Sequence, residues 1–265
     1  MTIRVWEHLT TTDFDGDQLA GAIAVLPVAA VEQHGPHLPL GTDAILTDAV
    51  FDAAASRIGT AVQVIRLPTQ RIGLSPEHVS FPGTLSLSAE TVIASWTEIG
   101  RSIARAGVRR LVILNGHGGQ AGLVDVVATR LRAEAGLSVL RCTYFALAGP
   151  ETALPEREWR FGLHGGTLET SLMLHVAPDL VRMDQARDFS NSGEAMALTN
   201  ARLEAEGATG LGWMAEDLNG QGVTGDASAA TAELGAELLD HIGAELATLI
   251  TEFAHHPLAA GTHRG

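Results

Sequence analysis

The chain reads AIAVLPVAAVEQHGPHLPLGTD from Ala22 to Asp43, and this stretch decides the fold. Its first part, residues 23–31, is apolar and rich in β-branched side chains, which is typical of a strand buried on both faces inside a parallel sheet. The sequence then changes abruptly to acidic residues, histidines, prolines and glycines. Because proline and glycine interrupt regular structure, they predict a loop directly after the strand.

This loop contains side chains that can bind a metal ion. Glu32 and His34 point to the same side of an extended chain, because side chains alternate along it. Asp43 returns to the same place if the loop folds back and a helix begins at Thr42. Carboxylates and an imidazole that converge at the end of a strand suit a divalent metal ion. The alternative is a polar loop whose acidic side chains are solvated.

The composition limits the classes of function. With 265 residues, 46% of them hydrophobic, and no linker or internal repeat, the chain is expected to form a single domain over residues 1–265. Its formal net charge of −14 argues against nucleic acid and anionic membranes as partners. Residues 1–20 carry four acidic side chains and no signal-peptide pattern, and no apolar run is long enough to span a bilayer. We therefore expect a cytoplasmic protein.

Strand and helix patterns alternate along the rest of the chain. They predict helices at 42–58, 88–106, 121–135, 167–177 and 227–253, and further strands at 61–67, 109–114 and 137–145. We expect irregular structure or a short helix in residues 1–20, an irregular segment at 146–163 and a helix near 200–206. The alternation implies right-handed crossovers and a mainly parallel sheet, in which ligands bind beyond the carboxyl ends of the strands.

Two more segments place reactive side chains beside predicted strands or helices. His117 lies in the turn NGHGG, where the flanking glycines let the backbone approach a ligand closely. His164 and Glu169 lie in HGGTLE, at the start of the helix at 167–177. Glu169 is either an ordinary charge at a helix start, which the helix dipole favours, or a metal ligand. His164 can accept and donate a proton near neutral pH.

The other histidines and loop acids give weaker signals. Glu77 and His78 lie between glycines and prolines, and they either line a pocket or belong to the surface. His175 falls on an apolar helix face, so we expect a packed core histidine. The remaining histidines outside the loop at 32–43 have no partner pattern and are expected at the surface: His8, His241, His255, His256 and His263.

Motifs of several other enzyme classes are absent from the sequence. It has no Walker A motif, no GxGxxG dinucleotide fingerprint and no GxSxG nucleophile elbow. Cys142 is the sole cysteine, so no internal disulfide can form, and its place inside an apolar strand disfavours a reactive thiolate.

Four motifs in this order resemble the creatininase family of metal-dependent amidohydrolases. They are VEQHGPHLPLGTD at 31–43, GLSPEHVSFPGTLSLS at 73–88, LVILNGHGGQ at 111–120 and HGGTLETSLML at 164–174, with weaker similarity in GVTGDASAAT at 222–231. The resemblance implies a three-layer α/β/α sandwich around a mainly parallel sheet. It also implies a homo-oligomer, often a hexamer, and a site that holds two divalent ions, which are zinc, manganese or iron.

The resemblance assigns roles to individual residues. The family's metal ligands correspond to Glu32, His34, Asp43, His117 and Glu169, with Asp43 between the two ions. His164 and Glu169 correspond to its catalytic residues. Creatininase itself has an acidic ligand two residues after the NGH histidine, where this chain has Gly119. We therefore assign Glu169 to the second ion and keep Glu77 as the other candidate. This departure, and HGG in place of the usual HAG, argue against creatinine as the substrate.

Together these patterns predict a hydrolase that uses two metal ions to cleave the C–N bond of a small molecule such as a cyclic amide or a formamide. Two ions that share a water lower its pKa, and His164 passes a proton to the leaving nitrogen. The alternatives are hydrolysis of a lactone or a peptide bond by the same residues, and a structural or regulatory subunit that only holds metal. A phosphorylated nucleotide is disfavoured by the acidic chain.

Overall fold

The computed structural model describes residues 3–16, 18–149, 152–207 and 209–257. Its main sheet consists of β1 (Ile3–Val5), β2 (Ile23–Val28), β3 (Val64–Arg66), β4 (Arg110–Asn115) and β5 (Ser138–Thr143). These strands lie in the order β1-β3-β2-β4-β5, and every neighbouring pair among them is parallel. The predicted mainly parallel sheet is confirmed.

The central strand β2 is buried along its whole length. Ile23 and Val25 pack into the apolar cluster on one face of the sheet, and Leu26 packs into the cluster on the other face. Because both faces are covered, the strand reads as a continuous apolar run rather than an alternating one. Its pairing with β4 ends at Val28 opposite Asn115, so both strands stop at the same edge of the sheet.

The described residues form eight α-helices. They are α1 (Thr42–Ala55), α2 (Ala89–Arg105), α3 (Ala121–Ala135), α4 (Glu156–Phe161), α5 (Thr167–Val176), α6 (Ser192–Thr199), α7 (Ala215–Leu218) and α8 (Ala232–His255). Helices α1, α5 and α8 pack together on one face of the sheet, and α2 and α3 cover the other. This is the predicted three-layer α/β/α sandwich. Each fully buried leucine, isoleucine or phenylalanine contributes about 1.5–3 kcal/mol to its stability.

Capping explains where two of the helices begin. The side chain of Ser88 accepts a hydrogen bond from the backbone N–H of Thr91, so α2 starts at the predicted position. The side chain of Thr231 accepts a hydrogen bond from the backbone N–H of Leu234. Helix α8 therefore begins at Ala232 rather than at 227 as predicted. No helix in the described part of the chain is long and apolar enough to cross a lipid bilayer.

The predicted helix near 200–206 is wrong. Helix α6 lies earlier and ends at Thr199, because Asn200 adopts an extended backbone with φ −125° and ψ 137°. Glu204 then forms an isolated β-bridge with Gly210. Two further strands, β6 (Asp188–Phe189) and β7 (Gly225–Asp226), form a small antiparallel pair in the same region. Strands of two residues, such as β6 and β7, are too short to produce a hydrophobic periodicity in the sequence.

Two other regions also differ from the prediction. The segment 146–163 was expected to be irregular, but it contains α4, which follows Pro155. The first twenty residues contain short 3-10 helices at Trp6–His8 and Thr11–Phe14, in keeping with the expected short helix, but they also contribute β1, an edge strand that pairs with β3.

Only some of the histidine placements are confirmed. His175 is exposed rather than packed in the core, because Leu172 and Met173 occupy the buried side of α5. Of the histidines expected at the surface, some are exposed, one is half-buried and one lies outside the described residues: His8, His255 and His256 are exposed, His241 is half-buried, and His263 is not described.

Candidate metal centre

The strand order brings the predicted site residues together. Glu32 and His34 follow β2, and His117 follows the neighbouring strand β4. Asp43 is the second residue of α1, and Glu169 lies in the first turn of α5. All five side chains, together with His164, meet at the carboxyl edge of the sheet.

The carboxylates at this edge are deeply buried. Glu32 is 0% exposed and Asp43 is 2% exposed. Both oxygens of Glu32 and Oδ2 of Asp43 lack a hydrogen-bond partner within the described residues. Since a buried carboxylate without compensation costs several kcal/mol, these atoms favour a bound cation or a proton. The donor set of carboxylates and imidazoles fits a divalent metal ion.

Asp43 lies between two candidate histidine ligands and contacts each with a different carboxylate oxygen. On one side, Nδ1 of His117 lies 3.1 Å from Oε1 of Glu32 and 3.6 Å from Oδ2 of Asp43. On the other, Nε2 of His34 lies 3.0 Å from Oδ1 of Asp43 and 3.8 Å from Oε1 of Glu169. Ligands of a tetrahedral ion with bonds of about 2.0–2.2 Å are roughly 3.3–3.6 Å apart. The separations of 3.0–3.8 Å lie close to this range, so the donor spacing is compatible with divalent metal binding.

Backbone carbonyls fix the tautomer of each candidate histidine ligand. Nδ1–H of His34 donates to the carbonyl oxygen of Glu32 over 3.1 Å. Nε2–H of His117 donates to the carbonyl oxygen of Leu74 over 3.0 Å. In each neutral ring the other nitrogen is left bare and faces the carboxylates. This arrangement is usual for histidines that bind metal.

A glutamine that the sequence interpretation missed fixes the tautomer of His78. Oε1 of Gln33 accepts a hydrogen bond from the backbone N–H of Gly35, so its Nε2 must be the donor. This Nε2 donates to Nδ1 of His78 over 2.8 Å and to the carbonyl of Gly222 over 2.7 Å. His78 therefore carries its proton on Nε2, which lies 3.4 Å from Oε1 of Glu32. His78 therefore lines a pocket beside Glu32 and does not lie on the protein surface.

The two candidates for the second acidic ligand lie in different candidate metal groups, Glu77 with Glu32 and His117, and Glu169 with His34 and Asp43. A Cβ on Gly119 would lie 1.7 Å from Oε1 of Glu77, so the Glu77 carboxylate occupies the space that this glycine leaves. It lies 3.3 Å from Nε2 of His117, the nitrogen that faces away from Glu32. Glu169 instead reaches the group that contains His34.

The pKa shifts show that the cluster attracts positive charge. Burial raises the pKa of Asp43, and the charge of Glu32 raises it further, to about 7. Burial alone would lower the pKa of His34 and of His117, but Asp43 and Glu32 respectively raise these pKa values well above the usual range. A divalent ion can replace the protons that the carboxylates attract.

Two nearby groups lie outside the cluster. His37 is buried, and its Nε2–H donates to the carbonyl of Gly165 over 3.1 Å. Burial lowers the pKa of His37 to about 4, so it stays neutral. Burial raises the pKa of the Cys142 thiol to about 12, in line with the expectation that this thiol is unreactive.

A cavity of about 800 Å³ opens onto the cluster. Part of its wall comes from segments in which the sequence shows no functional motif, among them α4 and the residues just before α7. Trp159 and Trp213 are the largest of these side chains. Sequence reasoning missed both, because neither has a spacing that relates it to the metal-binding motifs.

Comparisons with known proteins agree with this geometry. The family profile described as "Creatininase: Creatinine amidohydrolase" matches residues 7–250. The mycofactocin precursor peptide peptidase of Mycobacterium ulcerans (strain Agy99) is 34% identical over 228 residues, which cover 82% of this chain and 81% of the relative. The creatinine amidohydrolase of Pseudomonas putida is 34% identical over 199 residues, covering 68% and 75%. The solved structure "Creatininase Mn" is similar with a TM-score of 0.72 and 27% identity, covering 95% of this chain and 99% of that one. This chain belongs to the creatininase family.

Proposed function

We propose that this protein is a metal-dependent amidohydrolase that holds two divalent ions and cleaves a C–N amide bond, such as that of a cyclic amide or a formamide, in a small molecule. The observation that carries the proposal is the position of Asp43. Its two carboxylate oxygens face two different groups of ligands, with Oδ1 3.0 Å from His34 and Oδ2 3.6 Å from His117.

The same geometry suggests which residues would hold each ion. Glu32, His117 and Oδ2 of Asp43 would hold one, and His34, Glu169 and Oδ1 of Asp43 would hold the other. Zinc, manganese and iron all accept such nitrogen and oxygen donors. When bound, two such ions acidify a shared water and polarise the carbonyl group of the substrate.

His164 is placed to carry the proton. Its Nε2–H donates to the carbonyl of Gln33 over 2.6 Å, which leaves Nδ1 bare, 3.7 Å from Oε1 of Glu32. Burial lowers the pKa of His164, and the neighbouring His34 lowers it further, so the ring is neutral and able to accept a proton. Nδ1 takes a proton from the attacking water and passes it to the leaving nitrogen.

His78 has a different task, because it presents an N–H and not a bare nitrogen. The protonated Nε2 of His78 lies 3.4 Å from Oε1 of Glu32, and the hydrogen bond from Gln33 keeps the ring in this tautomer. A donor at this position orients the Glu32 carboxylate.

A peptide bond is the second candidate, and the size of the cavity favours it. Cavities for drug-sized ligands measure about 300–1,000 Å³, so 800 Å³ is far more than a single small ring fills. The relative from Mycobacterium ulcerans is described as a peptide peptidase. An open cavity at the ligands also favours catalysis over a purely structural metal site, in which the coordination is closed. The cavity does not separate amides from lactones.

We propose further that residues 1–265 act as one domain in the cytoplasm, without nucleic acid or membrane as partner. The net charge of −14 disfavours nucleic acid and anionic membranes as partners. The resemblance to the family supports a homo-oligomer, with a hexamer as the expected size.

Metal analysis followed by a hydrolysis screen tests the proposed function. The purified protein, reconstituted with zinc or manganese, should hold close to two ions per chain. It should hydrolyse at least one compound in a set of cyclic amides, formamides, lactones and short peptides, and a chelator should abolish the reaction. Asp179→Ala removes an exposed carboxylate away from the cluster and serves as the matched control. One ion or fewer per chain, or turnover that survives chelation, would contradict the proposal.

A further inference from the structure

The wall of the cavity beyond the ligands is apolar. It is built mainly from side chains of the segment that includes α4 and the start of α5, and of the residues before α7: Leu154, Trp159, Leu163, Leu168, Trp213 and Met214. Such a wall favours a substrate group whose apolar surface becomes buried against it on binding.

Outside the candidate ligand groups, the charged side chains that line the cavity are all acidic. Among the described lining residues there is no lysine or arginine, and the acids outside the ligand groups include Glu158, Glu206 and Asp217. Glu158 has a structural task, because its carboxylate accepts hydrogen bonds from the backbone N–H groups of Thr167 and Asp226. A phosphate or carboxylate on this side of the substrate would meet only like charge.

Trp213 is held at the rim of the cavity. Its indole Nε1–H donates to Oε1 of Glu206 over 3.0 Å. The polar edge of the ring is thus satisfied, and its apolar surface lines the cavity together with that of Trp159. Both rings are only half-buried in the protein, so they keep surface that a ligand can cover.

We propose that the site selects amides that carry a bulky apolar group beside the cleaved bond and no negative charge there, and that Trp159 and Trp213 bind this group. The inference rests on the amide hydrolysis proposed above and names the substrate class within it. Burial of an aromatic side chain against the two indoles should strengthen binding by about 10–100-fold. The same wall rejects a phosphorylated substrate.

Binding of metal-chelating probes tests the inference without any need for turnover. The probes are the N-acetyl hydroxamates of phenylalanine, glycine, glutamine and glutamate, titrated calorimetrically into the full chain loaded with zinc. They share one chelating group and differ only in the side chain. The phenylalanine probe should bind at least tenfold more tightly than the glycine probe, and the glutamine probe more tightly than the glutamate probe.

Matched variants assign the effect to the wall. Trp213→Ala should reduce the preference for phenylalanine over glycine at least threefold and leave the affinity for the glycine probe unchanged. Trp213→Phe, which keeps an apolar ring, should retain most of the preference. Glu206→Gln keeps an acceptor for the indole N–H but removes the charge, so it should bind the glutamate probe more tightly. Leu198→Ala is the control, since Leu198 is 89% exposed and does not line the cavity.

The outcomes separate this inference from the proposed function. Equal affinity for the phenylalanine and glycine probes, or tighter binding of glutamate than of glutamine, would overturn the inference even if amides are hydrolysed. The expected order of affinities, with no compound hydrolysed in the screen, would support the apolar wall and contradict the amidohydrolase. Thermal unfolding of each variant shows whether a lost preference reflects a lost fold.

Discussion

Replacement of Asp43 by asparagine should stabilise the metal-free protein while removing its capacity for two ions. The pKa of Asp43 rises from its ordinary value of 3.8 to about 7 because the carboxylate is buried beside Glu32. The folded state therefore keeps a proton that the unfolded chain releases, so the folded protein loses stability as the pH rises from about 4 to 7. At about 1.36 kcal/mol per pKa unit, the whole shift corresponds to roughly 4 kcal/mol. Part of it is offset because Asp43 also stabilises the charged form of His34.

Urea unfolding in the presence of a chelator measures this effect. Asparagine has no charge to bury. The free energy of unfolding of Asp43→Asn, relative to that of the unmodified protein, should therefore increase by about 2–3 kcal/mol between pH 5 and pH 8. Metal analysis of the same variant should show the loss of the bridging ligand as a loss of both ions. Asp179→Asn, which changes an exposed carboxylate, should behave like the unmodified protein. A gap that is independent of pH, or a variant less stable than the unmodified protein at pH 8, would refute the reasoning.

Other variants test the roles of single residues. His164→Ala should keep both ions and reduce turnover by roughly 10²–10⁴-fold on the substrate that the screen identifies; loss of metal would instead make His164 a ligand. Glu169→Gln should lose one ion, and two retained ions with normal turnover would reduce Glu169 to a charge at a helix start. Glu77→Gln, which changes only the carboxylate behind His117, should keep both ions with affinity weakened by about 10–100-fold. Light scattering should give the mass of two or more chains of 27.8 kDa each, and the mass of a single chain would contradict the oligomer.

The parts of the site that could be predicted are those that local pattern and strand order determine. Glu32 and His34 are two residues apart after an apolar strand, and His117 follows a second one. Parallel strands end at the same edge of a sheet, so these side chains had to approach one another once the strand–helix alternation was recognised. In the structure Val28 of β2 pairs with Asn115 of β4, so the two strands do end at the same edge.

The parts that could not be predicted depend on how separate loops pack. His78 faces Glu32 because Gln33, held in turn by the backbone of Gly35 and Gly222, fixes its ring. No spacing along the chain relates these residues. The same holds for the cavity wall, because Trp213 lies within residues 184–226, where the sequence shows only weak periodicity. An apolar helix pattern was also too coarse to show that His175 points outward.

Gly119 stands at the position where creatininase itself has an acidic ligand, and this difference affects how the neighbouring loops pack. A side chain at this position and the carboxylate of Glu77 exclude each other, since a Cβ would lie 1.7 Å from Oε1 of Glu77. An acidic ligand at 119 would therefore displace Glu77 from His117, whereas glycine lets Glu77 stay there, and we propose that Glu169 then supplies the second acidic ligand. The ligands on the central strands and α1 can remain unchanged in both arrangements. Variation is then confined to the peripheral carboxylate and the cavity wall, which are also the parts that we propose to contact a substrate. On this reasoning the same metal-binding core can serve different substrates, and we propose that the wall around Trp159 and Trp213 selects among them.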